Sequence, residues 1–358
     1  MKDSTPKEQF RWSDLASPEG SRRPTLRDVA ALAQVDPSVV SRLVNNDPRL
    51  NIAVATRRRV EEAIVTLGYR PNMMARGLRM ARTWTIGLIV PALSNPMYTH
   101  IVRAAEARAA ERGYGIVLGS QVGVRTEETF AGMLLNGRVD GLLVASATLD
   151  DAFIQSLVHE NAGPVVLVNR RVAGIASSVV VDDTAGSRLV TEHLLKLGHR
   201  RIAYLSGPDD IDTSARRRRG FEGAMRDAGV DNPLVIPTGG WNPPAGYRSA
   251  SRLLSEHPDV TAVFASTMLL GVGALKAFHE DSIAVPERLS IMCLHDDEIL
   301  DYTYPPLSTV RMPLEELGRA AVDELVSRTE GNAGTNVLIP GAGELVERGS
   351  VTEPFDKS

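Results

Sequence analysis

From residue 84 onward the chain alternates short apolar runs with longer amphipathic ones. This alternation restricts the fold more than any other feature. TIGLIV (85–90) precedes a helical pattern at about 97–112, IVLGS (116–120) one at about 126–136, and DGLLVAS (140–146) one near 150–161, with PVVLVN (164–169) following. VVVD (179–182) precedes 184–197, RIAYLSG (201–207) precedes 214–228, and LVIPT precedes 244–256. TAVFAS (261–266) precedes 268–280, and SIMCL (290–294) follows. Strands separated by helices of about 10–15 residues form parallel neighbours joined by right-handed crossovers. The class is therefore α/β, and there are too many strands for one small sheet.

The stretch before residue 84 has a different period. In TLRDVAALAQVDPSVVSRLVN (25–45), Leu26, Val29, Ala30 and Ala33 share one helical face, and the Thr25 hydroxyl can cap that helix. Gln34-Val35 makes a turn. Asp36 is a good N-cap, and Pro37 suits a first helical position, which needs no amide hydrogen. Val40, Leu43 and Val44 give the second helix its apolar face, leaving Pro37, Ser38, Val39, Ser41, Arg42 and Asn45 outward. A third pattern, 53–67, carries Val60, Ala63, Ile64 and Leu67 and ends at Gly68. Small residues followed by a forked guanidinium suit a helix N-terminus entering a major groove; a helical hairpin without nucleic acid is the plainer reading.

Charge separates these two readings. The chain carries a net −4, yet residues 21–82 hold twelve Arg, no Lys and five acids, a net +7. Residues 1–20 carry −1, so residues 83–358 carry −10. A basic head on an acidic body is the footprint of a nucleic-acid module joined to a domain that DNA repels. No apolar run approaches the roughly 18 residues that span a bilayer. Residues 1–23 read as a polar, disordered leader without a secretory signal. Cys293, the only cysteine, lies in an apolar run, which excludes an internal disulfide, fits a reducing cytoplasm and reads as a buried, inert thiol.

The motifs TLRDVA, VSRLVNN, LGYRPN, ARGLR, TIGLIVPALSNPMY, VDGLLVAS, VVLVNRR, VVVDDTAG, TEHLLKLGHRRIAYLSGP, PPLSTVRMPLEELGRAA and ELVERGS follow one another from about residue 24 to 352. In order and spacing this closely resembles the lactose/galactose repressor (LacI/GalR) family of bacterial transcription regulators. The resemblance implies an all-α helix-turn-helix head (24–69), a hinge helix or linker (70–82), and a two-lobed, periplasmic-binding-protein-like core (83–358). Lobe 1 is expected at about 84–181 and 312–331, and lobe 2 at about 182–310 and 332–352, with a final strand at about 336–347 in lobe 2. A homodimer, a near-palindromic operator and a small effector, sugar or sugar-like, follow from the same resemblance.

Carried over residue by residue, the resemblance places Pro37, Ser38, Val39, Ser41 and Arg42 in the major groove. Arg42 is the foremost base contact, since a guanidinium pairs bidentately with guanine. Thr25, Arg27, Asn45 and Tyr69 fall to phosphate or positioning roles. Asn72, Ala75 and Leu78 match the hinge helix, with Leu78 as a minor-groove wedge and Arg79 as a phosphate clamp. About two helical turns are too short to be stable alone, so the hinge would order only against DNA and its partner copy. Gln34 and Val39 depart from the commoner Gly and Thr.

For the cleft between the lobes, family matches nominate Asn95, Tyr98, Ser146, Asn169, Arg217, Trp241, Ser266, Thr267 and His295, with Asp296 on the hinge side. The run Arg216–Arg219 should be mostly solvated with one guanidinium facing the cleft, Arg217 or, in the other register, Arg216. Ala265-Ser266-Thr267 stands where the family often has Ala-Asn-Asp, and Cys293-Leu294-His295-Asp296-Asp297 where it often has Gly-Phe/Tyr-Asp-Asp. Imidazole and hydroxyls in place of those acceptors leave a neutral polyol, a modified sugar or an anion open. No nucleotide loop, metal-ligand cluster or catalytic triad is visible, so neither enzyme nor cofactor is expected. The basic head argues against a solute-binding protein that delivers ligand to a transporter.

Overall fold

The computed structural model describes residues 24–45, 47, 49–70, 82–120, 126–145, 150–159 and 163–355. The chain divides into two compact units, the first ending at Thr83 and the second beginning at Trp84.

The first unit contains α1 (Leu26–Ala33), α2 (Pro37–Val44) and α3 (Val54–Leu67). A capping box opens α1: the Thr25 hydroxyl accepts from the Asp28 amide at 3.4 Å, and the Asp28 carboxylate accepts from the Thr25 amide at 2.6 Å. Gln34 ends that helix in the left-handed region at φ 54°. Asp36 accepts from the Ser38 amide at 2.8 Å, and Pro37 takes the first helical position. The apolar spacing then closes one core, with Val29, Ala30 and Ala33 on Val40, Leu43, Val60 and Ala63. Tyr69 completes that core at 6% exposure. This packing fits the positioning half of its expected role.

The second unit holds two sheets. The first contains β1 (Thr85–Val90), β2 (Gly115–Ser120), β3 (Gly141–Val144), β4 (Val165–Val168) and β5 (Ser178–Val181), with α4 (Pro96–Glu111), α5 (Thr126–Leu135) and α6 (Asp151–His159). Next come α7 (Asp183–Lys196), β6 (Ile202–Ser206), α8 (Asp212–Asp227), β7 (Leu234–Pro237) and α9 (Pro243–Glu256). The chain continues through β8 (Ala262–Ala265), α10 (Met268–Glu280), β9 (Ser290–Leu294) and β10 (Ser308–Arg311). It ends with α11 (Leu314–Thr329), β11 (Asn336–Ile339) and β12 (Glu344–Val346). The sheet orders are β11-β5-β4-β3-β1-β2 and β12-β10-β9-β8-β6-β7. Without β11 and β12, both sheets run second, first, third, fourth, fifth, the doubly wound order. Among the described residues, every pairing is parallel except β10 with β12.

The lobes exchange chain at the C-terminal end. After β10 the chain returns to the first lobe, where Leu317, Ala321, Val322 and Leu325 of α11 are buried in the core. The expected single strand at 336–347 in lobe 2 is corrected. β11 pairs with β5 of the first sheet, Asn336 opposite Ser178, and only β12 reaches the second, Val346 opposite Thr309. Pro340, which has no amide hydrogen for a ladder, breaks the run between them.

Tyr204, Phe221 and Phe264 anchor the core of the second lobe, with ring centroids 4.9 Å apart in both the Tyr204–Phe221 and Tyr204–Phe264 pairs. Each fully buried side chain of this size contributes about 1.5–3 kcal/mol. Gly220 sets how closely α8 lies on α7, since a Cβ there would stand 2.2 Å from the Thr184 carbonyl oxygen. That approach brings Asp183 beside Arg216 and Arg217. Among the described residues, no helix is long and apolar enough to cross a membrane.

Candidate functional site

On the head, the buried positions of α2 fix which face is left over. Val40 and Leu43 are buried, whereas Pro37, Ser38, Arg42 and Asn45 are exposed and Val39 and Ser41 half-buried. The Asn45 amide donates to the Ser41 carbonyl at 2.7 Å, which closes the C-terminal end of the helix. Arg27, Arg49 and Arg57–Arg59 are exposed on the same unit. Thr25 is tied to Asp28 by the capping box, so its hydroxyl orients α1. Asn72, Ala75, Leu78, Arg79 and Ser146, together with the expected leader and most of the linker, lie outside the described residues.

In the body, the nominated residues sit where parallel strands end. Ligands of doubly wound sheets bind in the crevice beyond the carboxyl ends of the strands, at the switch in strand order. Asn169 follows β4, Ser266 follows β8 and His295 follows β9. Asn95 caps α4, accepting from the Met97 amide at 3.2 Å, and Thr267 caps α10. Two contacts join the lobes at this point: the Thr213 hydroxyl donates to the Asn169 carbonyl at 2.8 Å, and the Arg171 amide donates to Asp212 at 3.0 Å.

Arg217 is the centre of the arrangement. It is 2% exposed and donates from Nε to Asp183 at 2.7 Å, from Nη1 to the Ser266 carbonyl at 3.0 Å, and from Nη2 to His295 Nε2 at 2.7 Å. The Trp241 ring centroid is 6.0 Å from its Cζ. Arg216 is buried too, donating to the other Asp183 oxygen at 2.7 Å and to Asp212. Two guanidiniums of the four are thus enclosed, not the single one expected, because Asp183 is a fully buried carboxylate that both can reach. Burial alone would raise the Asp183 pKa, but Arg217 and Arg216 outweigh it and hold the carboxyl below its usual range. On the facing lobe, burial pushes the Tyr98 hydroxyl up to about 12, against the opposing charges of Arg217 and Arg170.

Asp296 is already committed. It accepts from Thr309 at 2.8 Å, from Arg311 at 2.7 Å and from Arg348 at 2.8 Å, which ties the end of β9 to β10 and to the segment after β12. This is a hinge-side brace and leaves little of the carboxylate for a ligand. Asp183, Arg170, Gly207 and Ser214 went unnominated. Only the VVVDDTAG motif pointed at Asp183. A Cβ on Gly207 would stand 1.9 Å from Trp241 Nε1 and 2.6 Å from Ser214 Oγ, so the missing side chain keeps these three together.

His295 carries a pH dependence. Burial first, and then Arg217, push its pKa from 6.5 down to about 3. Below about pH 6.5 the unfolded chain takes up a proton that the folded chain refuses, so stability rises with pH from about 3 to 6.5 and falls on acidification. Lowering the pH from 6.5 to 5 should cost about 2 kcal/mol through this residue alone. Burial depresses His193 and His199 in the same direction. Urea unfolding at pH 7, 6 and 5 measures the slope, and His295→Asn should reduce it by about one proton's worth.

Residues 25–72 match the family of bacterial regulatory proteins named lacI, and residues 191–351 match a periplasmic binding protein-like domain. The HTH-type transcriptional regulator CelR of Thermobifida fusca is 34% identical over 87% of this chain and 94% of its own length. The chain belongs to the LacI family. The ribose operon repressor of Escherichia coli, another LacI-family relative, is 33% identical over 85% of this chain and 92% of its own. Among solved LacI-family structures, the lac repressor dimer bound to operator and an anti-inducer aligns with a TM-score of 0.81 at 29% identity, covering 92% of this chain and all of that one. A CelR–cellobiose complex aligns at 0.70 and 32% identity, with coverage of 92% and 100%. Membership of this family makes the chain a DNA-binding transcriptional regulator with a helix-turn-helix head and an α/β core.

Proposed function

We propose that the chain is a homodimeric repressor that reads a near-palindromic operator with two heads and is controlled by a sugar or sugar-like effector held between its lobes. The observation that carries this reading is the pairing, in one chain, of a basic head with an uncovered α2 face and a two-lobed body whose strand ends converge on a buried guanidinium. A two-fold dimer demands two half-sites, which is the geometry of a palindrome. Pro37, Ser38, Val39, Ser41 and Arg42 face the base edges, with Arg42 supplying the strongest discrimination, and Thr25 and Asn45 set the docking angle. Asn72, Ala75, Leu78 and Arg79 form the hinge at the operator centre. Asn95, Tyr98, Ser146, Asn169, Arg217, Trp241, Ser266, Thr267 and His295 surround the effector, and Asp296 braces the hinge side. The cleft acts as a binding site and not a catalytic one, and the protein works in the cytoplasm, where the DNA is.

Control requires an effector that prefers one degree of lobe closure, because a ligand shifts an equilibrium only by its differential affinity. Cellobiose in the CelR complex makes a sugar the leading class. The test is to retain genomic fragments on the immobilised protein, with and without a panel of sugars. A palindromic sequence whose retention changes with one sugar is the expected result. Arg42→Ala should weaken specific binding by about 10- to 100-fold, the worth of one bidentate base contact. No enriched sequence even at low salt, where phosphate contacts are strongest, would remove the head from the role of reader.

A further inference from the structure

The cleft offers hydrogens more readily than it accepts them. Arg217 Nη2 lies 2.7 Å from His295 Nε2, and a guanidinium has no acceptor. Arg217 is therefore the donor, Nε2 accepts, and the neutral ring carries its one hydrogen on Nδ1. That Nδ1 is buried and has no partner, in a residue that is 1% exposed. Burial and the adjacent guanidinium keep the ring neutral above about pH 3. Trp241, whose ring centroid is 6.0 Å from Arg217 Cζ, holds its Nε1, a donor only, buried without a partner among the described residues.

The carboxylates that would balance these donors with charge are already engaged. Arg216 and Arg217 cover both oxygens of Asp183. Asp212 is engaged by Arg216 and the Arg171 amide, and Asp151 by Arg170. Asp183, Asp212 and Asp151 thus each carry a guanidinium, and Asp297, two residues past His295, faces His100 at 3.4 Å. The buried acceptors without a partner among the described residues at this point are neutral: Asn169 Oδ1 and the hydroxyls of Ser214 and Ser266. A neutral sugar hydroxyl that accepts from His295 or Trp241 must still place its own hydrogen, on Asn169 or on a serine hydroxyl, none of which carries charge. An oxyanion accepts without donating, and the field of Arg217 and Arg170, which reaches Tyr98 on the facing lobe, favours negative charge.

We propose that the effector is an acidic sugar, whose carboxylate or phosphate accepts from His295 Nδ1–H beside Arg217, with Trp241 Nε1–H donating to a second oxygen of the same molecule. This rests on the reading of the cleft as the effector site. His295 is then the residue that selects charge, since it presents a neutral N–H donor beside Arg217.

Calorimetric titration of the full chain with matched pairs separates the possibilities: glucuronate against glucose, galacturonate against galactose, and ribose 5-phosphate against ribose. The acid member of at least one pair should bind ten-fold or more tightly than its neutral partner, the uronate and phosphate arms telling which oxyanion is used. His295→Asp should abolish that preference. His295→Asn, which keeps an N–H donor, should retain it. Asn and Asp both tolerate the left-handed φ of 70° at this position, and melting curves confirm that both variants fold. Neutral sugars binding as tightly as acidic ones, or an unchanged preference in His295→Asp, overturns the inference and leaves the sugar site standing. No binding by any member overturns the sugar site itself, and the inference falls with it.

Discussion

Asp183→Ala should lower the unfolding free energy of the body by about 4 kcal/mol, because removing one partner of a buried ion pair leaves charge enclosed without compensation. The geometry makes this case severe. Arg216 and Arg217 are 5% and 2% exposed, and each donates to Asp183 at 2.7 Å. Arg216 would keep Asp212 as a counter-charge; Arg217 would keep only the Ser266 carbonyl and the His295 nitrogen, neither of them charged. For a domain of this size, 4 kcal/mol corresponds to a fall of about 10 °C in melting temperature. Effector response should be lost in the fraction that stays folded, since Arg217 would no longer be held from behind. Urea unfolding of wild type and variant is the measurement; a difference under 1 kcal/mol would mean that water reaches the pair.

That ion triad also marks where the sequence stops being informative. A run of four arginines reads as a mostly solvated helix face with one inward guanidinium, Arg217 or Arg216, and nothing local says that both are enclosed. What encloses both is Asp183 on a neighbouring helix, brought near by the close approach at Gly220. The helix-turn-helix was legible because its signals are local: Thr25 and Asp36 cap, Pro37 opens a helix, and apolar residues recur at helical spacing. The α/β class was legible from alternation, whereas Asn169, Ser266 and His295 were nominated by the family resemblance, and each lies just past the end of a strand. Strand order was not legible, since periodicity says which residues pair with a sheet and not with which neighbour. The two short apolar runs at 336–339 and 344–346 show this plainly, joining different sheets across Pro340. The packing of Tyr69 was not legible for a related reason, because a tyrosine at a helix end suits a surface or a core equally well until α3 is packed.

Removing the head should have the largest effect of all on DNA binding. A fragment from Trp84 to Ser358 keeps both sheets and the cleft, since it forms a compact unit of its own. It should therefore bind effector as the whole chain does. Its charge argues that it should not bind DNA: residues 83–358 carry −10, whereas residues 21–82 carry +7. Specific affinities typically exceed non-specific ones by about 10³-fold or more, and a negative surface supplies not even the phosphate contacts behind non-specific binding. Fluorescence anisotropy with the selected operator, at several salt concentrations, measures both quantities. The whole chain should lose affinity steeply as salt rises, with a slope set by the phosphates that its arginines neutralise. The fragment should show no binding at any salt. If it bound the operator as tightly as the whole chain, the exposed α2 face would be a helical hairpin without nucleic acid, and the reading surface would lie on the lobes.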